Sequence, residues 1–181
     1  MSRALVIVDI QNDYFPGGAN PLHEPEAAAA AARRVLDGFR AAGERVVHIQ
    51  HVWDAADAPF MRPGTDGVEI HRQVAPLDGE RVIQKDAPNA FLRTPLEQEL
   101  REHDVDALVV CGMMTSMCVD ATVRAAADLG FAVTVVHDAC AAPDLSFRGV
   151  EVPARSVNAA FLGALADGYA SVVSAEEIMP G

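Results

Sequence analysis

Short runs rich in apolar and β-branched residues alternate along this chain with longer stretches whose apolar positions recur at helical spacing. Ala4 to Asp9, Arg45 to His51, Arg81 to Lys85, Ala107 to Cys111, Phe131 to Val136 and Ala170 to Val173 read as strands, because β-branched runs bounded by turn residues suit a sheet buried on both faces. Between them, Glu24 to Ala42 is alanine-rich with Ala27, Ala31, Val35 and Phe39 near one helical face, and Gly43 stops it. Thr94 to His103 opens with Thr-Pro, a cap followed by proline at the first helical position, and Val152 to Leu165 reads as a further helix. Gly112 is expected to end the fourth strand. Thr115 and Ser116 are expected to cap a helix that carries Cys118 in its first turn and runs to Leu129, with Gly130 as its C-cap. Val52 to Gly79 is punctuated by Pro and Gly with little periodicity, and a segment that long in a compact domain is usually functional. Strands alternating with helices imply right-handed crossovers and a parallel sheet, so the pattern predicts a three-layer α/β/α, Rossmann-like architecture. The length of 181 residues fits one domain, 1–181.

Charge narrows the function. A net charge of −12 supplies no basic patch for nucleic acid or an anionic membrane, which favours a small-molecule substrate. No apolar run is long enough to cross a bilayer, and the start MSRALVIVDIQ turns acidic where a signal peptide would show its cleavage site, so a cytoplasmic location is expected. Three cysteines with no C-x-x-C pair predict reduced thiols, neither a disulfide framework nor a zinc site. Of the 14 basic residues, 13 are arginine and Lys85 is the single lysine. Arginine serves any solvating or ion-pairing role but is a poor substitute for a compact ammonium, so the position of that lysine carries information.

In an open parallel sheet, ligands bind beyond the carboxyl ends of the strands. Asp9 ends the first predicted strand, Lys85 ends the third, and Cys118 opens the helix after the fourth, so the three can converge on one crevice. A carboxylate, an ammonium and a thiol make a nucleophile with a proton acceptor and a charge balancer. A helix N-terminus favours thiolate, which predicts a depressed pKa for Cys118. The same position also suits a small apolar residue packed under the sheet, and the stretch alone leaves both readings open.

Taken together, VIVDIQNDYF from Val6 to Phe15, GTDGVEI from Gly64 to Ile70, the lysine followed by NAF at Asn89 to Phe91, GMMTSMCVDATVRAAADLGF from Gly112 and then VVHDACA resemble the isochorismatase-like cysteine hydrolases, which include nicotinamidases and N-carbamoyl amide hydrolases. The resemblance runs nearly end to end. It implies a mainly parallel six-stranded sheet in the order 3-2-1-4-5-6, a catalytic triad of Asp9, Lys85 and Cys118, and a cis peptide between Met113 and Met114. It also implies an oxyanion hole from the backbone amides of Met114 and Cys118. The implied chemistry is hydrolysis of an amide or carbamoyl C–N bond of a small molecule through a thioester. A homodimer or homotetramer is implied as well.

Nicotinamidases of that family hold a divalent metal through an Asp-x-His pair after the second strand and a later histidine. Here the matching positions are His51 and Trp53, with Met61 near the later one, so no metal and no other cofactor is expected. His48, His51 and His71 could in principle form a rearranged metal site, but histidines without a fixed ligand spacing are more often hydrogen-bonded structural or pocket residues. Phe15, His51, Trp53, Phe60 and Phe91 are expected near the crevice, with ordinary packing an equal reading for Phe91. Gln11 could orient Asp9 or lie in a solvated loop, and Thr115 is placed with the substrate-binding residues. Asp13 reads as a turn former, Cys111 as buried strand and Cys140 as a loop thiol. Competing functions are vinyl ether hydrolysis of isochorismate, nicotinamidase activity and non-catalytic ligand binding on the same fold. Family members of the first kind commonly lack the cysteine, and loss of any of the three polar residues would have pointed to the last.

Overall fold

The computed structural model describes residues 2–178. Along the chain run β1 (Ser2–Val8), α1 (Pro25–Ala42), β2 (Arg45–His51), β3 (Arg81–Lys85), α2 (Leu96–Arg101), β4 (Val105–Met113), α3 (Asp120–Asp128), β5 (Ala132–Ala141), β6 (Leu145–Phe147), β7 (Val150–Val152), α4 (Ala154–Gly168), β8 (Ser171–Val173) and α5 (Ala175–Ile178). Six strands form one sheet in the order β3-β2-β1-β4-β5-β8, and every neighbouring pair in it is parallel. The expected order therefore stands, with the sixth strand of the sheet being the eighth of the chain. The two additional strands are an antiparallel hairpin that the pattern did not reveal. Its strands are three residues long and mostly exposed, so no buried face imposes alternation on them. Its turn is legible only afterwards: Arg148 and Gly149 both have positive φ, the requirement of a tight two-residue hairpin.

Alternation along β1 builds the layers. Leu5 and Ile7 face a core shared with Val35, Leu36 and Phe39 of α1, while Ala4, Val6 and Val8 face the opposite core with Leu96, Leu100 and Val123. Pro25 opens α1 with its fixed φ, and Gly43 closes it in the left-handed region, its N–H bonded to the Arg40 carbonyl. Phe39 is wholly buried, and truncating it to alanine would cost about 3–5 kcal/mol.

Three boundaries near the site differ from expectation. Gly112 does not end β4, which continues through Met113. Gly112 pairs with Val8 of β1, and a Cβ there would come within 2.0 Å of the Val8 carbonyl oxygen. The glycine thus permits close backbone approach rather than a turn. Cys140 is a strand residue and not a loop thiol: β5 continues to Ala141 after an irregularity that brings Cys140 opposite Gly112. α4 begins at Ala154, because Val152 belongs to the hairpin and Pro153 lies between. The α2 segment is also shorter than predicted, although Thr94 Oγ1 does accept the Leu96 N–H at 3.3 Å. No helix among the described residues is long and apolar enough to cross a membrane.

Candidate active site

The carboxyl ends of β1, β3 and β4 bring Asp9, Lys85 and Cys118 together. Asp9 follows the last residue of β1 in the left-handed region, φ 50°, with its N–H on the Ile49 carbonyl of β2. Aspartate tolerates that conformation better than a β-branched residue would, and it turns the carboxylate out of the sheet register. Lys85 is the last residue of β3, in register with His51 on β2. Its Nζ lies 2.6 Å from Asp9 Oδ2, 2.9 Å from His51 Nδ1, 3.0 Å from the Ala87 carbonyl and 3.3 Å from Cys118 Sγ. Three ammonium protons face four acceptors, and both the Asp9 and Lys85 side chains are fully buried. Asp9 Oδ1 has no hydrogen-bond donor among the described residues.

Cys118 does not sit in the first turn of a regular helix. Thr115–Val119 forms a π-helical turn ahead of α3, in which the Met114 carbonyl accepts from the amides of Met117 and Val119 and passes over that of Cys118. The expected side-chain cap is not made, since Thr115 Oγ1 and Ser116 Oγ are buried without partners among the described residues. The Met113–Met114 peptide bond is cis. The depressed thiol pKa expected from a helix N-terminus is overturned. Burial pushes the Cys118 thiol well above its ordinary value, the Asp9 carboxylate pushes the same way, and the Lys85 ammonium opposes them without prevailing. The free protein therefore holds a thiol beside a carboxylate and an ammonium. His51 is pushed down by burial and then by Lys85. Because an ammonium has no lone pair, His51 Nδ1 must accept, which places the ring proton on Nε2.

A cavity of about 240 Å³ opens on Cys118. His51 and Trp53 line it, as expected, and so does Phe60. The sequence reading missed Tyr14, Met114, Met117, Pro88 and Asp86, which complete the lining. Each lies within five residues of Asp9, Lys85 or Cys118, so proximity to the same sheet edge was the available signal. Burial raises the Tyr14 hydroxyl pKa, and the neighbouring acidic groups of Cys118, Asp9 and Asp13 push the same way when ionised.

Four residues expected to bind substrate do not reach this cavity. Gln11 is buried and its amide clamps backbone: Nε2 donates to the His51 and Val68 carbonyls at 2.9 and 2.6 Å, and Oε1 accepts the His51 N–H at 2.8 Å. Gln11 therefore positions the His51 backbone rather than Asp9 or a ligand. Phe15 stacks on His71 at 3.7 Å and borders a separate hollow. Phe91 stacks on Phe131 at 6.0 Å, the packing reading. Thr115 is fully buried. Asp13 organises the loops, as its Oδ1 accepts from the Ala19 amide and its Oδ2 from that of Met61.

The residues do not fit the metal of the nicotinamidase relatives. Trp53 offers only an N–H donor, and Met61 is wholly buried in the core. Asp9, His51 and Cys118 do place one ligand atom each within 4.8 Å of one another. The Lys85 ammonium already contacts all three, so a cation bound there would have to displace it. Three further groups are held in structural hydrogen bonds: His48 pairs with Glu80, His71 accepts the Gln73 amide, and Cys140 donates to the Val136 carbonyl. Burial pushes the Cys140 thiol up to about 12, and that of Cys111 well above its ordinary value.

The isochorismatase domain model matches residues 3–176. The uncharacterized isochorismatase family protein YddQ of Bacillus subtilis is 48% identical over 179 residues, which cover 99% of each chain. A crystal structure of an Oleispira antarctica protein assigned to the isochorismatase hydrolases superposes with a TM-score of 0.96 at 46% identity, covering 99% of this chain and 97% of that one. N-carbamoylsarcosine amidase of Thermoplasma acidophilum superposes with a TM-score of 0.84 at 26% identity over the full length of both. With a match spanning all six strands of the sheet and the edge where the acid, amine and thiol meet, the chain belongs to the isochorismatase family of hydrolases.

Proposed function

We propose that this hydrolase cleaves an amide or carbamoyl C–N bond of a small molecule through a thioester on Cys118. The observation that carries this reading is the buried Lys85 ammonium, 2.6 Å from the Asp9 carboxylate and 3.3 Å from Sγ of Cys118, the member of the three that lines the cavity. Because Cys118 rests as a thiol, it needs a base, and Asp9 is the carboxylate beside it. As Sγ bonds to the substrate carbonyl carbon, its proton passes to Asp9, and the carbonyl π electrons move to oxygen. The backbone amides of Met114 and Cys118 are the donors proposed for that oxyanion. Its collapse re-forms the carbonyl and breaks the C–N bond, with the Asp9 proton going to the departing nitrogen. Water then attacks the thioester and gives a proton to Asp9. The C–S bond breaks and the thiol is restored from Asp9. Lys85 balances the negative charge through both halves.

Ammonia or amine release should be measured across small amides, carbamoyl compounds and isochorismate, with Cys118→Ala as the control. Turnover of an amide or carbamoyl compound that falls at least ~10⁴-fold in Cys118→Ala supports the mechanism. Turnover surviving in that variant, or found with isochorismate alone, overturns it. Binding without turnover of any compound would mark a ligand-binding protein on this fold.

A further inference from the structure

We propose that the cavity over Cys118 selects an uncharged, flat, largely apolar acyl group and rejects substrates that carry a carboxylate. Selection of this kind rests on the amide-hydrolase reading for the reacting group, but it follows from the walls alone. Trp53 and Phe60 meet edge to face at 5.5 Å, Tyr14 lies 5.9 Å from Phe60, and Met114, Met117 and Pro88 complete the apolar lining. The volume of about 240 Å³ equals the space of about eight water molecules, room for one substituted ring.

Among the described residues, no cation is free to meet an anion there. None of the 13 arginines lines the cavity. The ammonium of Lys85 is buried and already contacts Asp9, His51, the Ala87 carbonyl and Cys118. His51 is the one histidine of the lining, and the ammonium facing its Nδ1 keeps the ring neutral. The remaining charged group of the lining is the Asp86 carboxylate. Arg93, 2.8 Å from it, is itself largely exposed and belongs outside the lining. Long-range repulsion from the net charge of −12 is largely screened at physiological salt, so it contributes little. The decisive effect is desolvation. A carboxylate entering between aromatic and thioether walls gives up water without gaining a cationic partner.

Trp53 is the only tryptophan, so its fluorescence reports binding whether or not hydrolysis follows. The probes are 4-acetylbenzamide and 4-carbamoylbenzoate, which share a shape and differ by one charge. Titrated into Cys118→Ala, the acetyl compound should bind at least tenfold more tightly. Equal affinity, tighter binding of the carboxylate or no binding of either overturns the proposal. Met117 is half-exposed and lines the cavity, so Met117→Arg adds a cation without disturbing the core. That variant should shrink the discrimination about tenfold, and an unchanged ratio would show that charge is not its basis. If wild type binds the acetyl compound selectively but hydrolyses no amide of any kind, the selectivity stands and the hydrolase reading falls.

Discussion

Two polar clusters flank the same pair of strands, and each contains a cation, a carboxylate and a histidine. Toward the amino end of β3, Glu80 accepts from Arg40 Nε and Nη2 at 2.7 and 2.8 Å, from His48 at 2.9 Å and from the Leu77 amide at 2.9 Å. At its carboxyl end, Lys85 shares three protons among Asp9, His51, Cys118 and the Ala87 carbonyl, and Asp9 Oδ1 has no donor among the described residues. The first carboxylate is saturated: a bidentate guanidinium and a backbone amide fix it, and its pKa falls to about 2, with Arg40 the largest cause, while His48 Nδ1 behind it has no partner among the described residues. The second leaves an acceptor open and a thiol held above its ordinary pKa. Saturation marks a structural ion pair, and a shared ammonium beside an incompletely bonded carboxylate marks a group that can take up a proton. Size gives the wrong answer, since the larger cleft of about 740 Å³ borders the saturated cluster and is lined by no cysteine.

The largest expected effect lies in the saturated cluster. Glu80 has a folded pKa near 2 against an ordinary 4.5, so its contribution is complete above about pH 4.5 and is lost as pH falls through about 2. The difference corresponds to about 3 kcal/mol at neutral pH. His48, pushed down by burial, acts in the same direction, because it stays neutral in the fold while the unfolded chain gains a proton below about pH 6.5. Glu80→Gln should therefore lower stability at pH 7 by about 3 kcal/mol in denaturant titration, and the deficit should narrow toward pH 3. Activity per folded molecule should remain. A variant as stable as wild type would break the contrast from the structural side.

Lys85→Arg tests the other side, with an expected loss in kcat/KM of at least ~100-fold. Guanidinium is planar and wider than ammonium, so it would push Asp9 or Cys118 out of place, and an error of about 1 Å in such a site costs ~100-fold. Both side chains keep the charge, so far-ultraviolet circular dichroism should remain that of a folded chain. Retained activity would remove Lys85 from the proposed mechanism and leave its rarity to composition.

Much of this was legible because strand patterning is strong where a sheet is buried on both faces. β2 and β3 have the limits that their sequences predicted, and strand ends at one sheet edge named Asp9, Lys85 and Cys118 before any distance was known. What stayed hidden depended on contacts remote in sequence. Gln11 looked like a partner for Asp9, but Val68, 57 positions away, supplies one of its acceptors. The thiol pKa ran the other way because a helix N-terminus is visible in sequence while the burial of Cys118 beside Asp9 is not. Phe15 and Phe91 follow the same rule: position in the chain placed them near the edge, and packing turned them to His71 and Phe131.

A smaller effect concerns the resting thiol. Iodoacetamide attacks thiolate, so raising the Cys118 pKa should slow its alkylation at pH 7 at least ~10-fold relative to an unfolded-chain cysteine. The rate should still be climbing above pH 9, and peptide mass spectrometry should find Cys118, which lines the cavity, labelled before the buried Cys111 and Cys140. Fast labelling at pH 6 would mean a thiolate at rest and would leave Asp9 without the proton transfer proposed for it.

The mirror of Lys85→Arg is Arg40→Lys, and it carries the smallest effect. Arg40 uses two guanidinium nitrogens on Glu80, and Nη2 also donates to the Ala75 carbonyl at 2.9 Å. A lysine at that position keeps the charge and one contact but loses the bidentate fork and the reach to Ala75. Hydrogen bonds to charged groups contribute about 1.5–3 kcal/mol in full, and retention of the charge and one contact reduces the net loss to about 1 kcal/mol. Chemical denaturation should show that loss, with kcat/KM unchanged for the folded protein. The two swaps together separate the roles: exchanging the cation in the saturated cluster shifts stability and spares turnover, while the same exchange at Lys85 does the reverse. If Arg40→Lys lowered kcat/KM as much as Lys85→Arg, the clusters would be coupled through β3, and the division into a structural and a reactive end would fail.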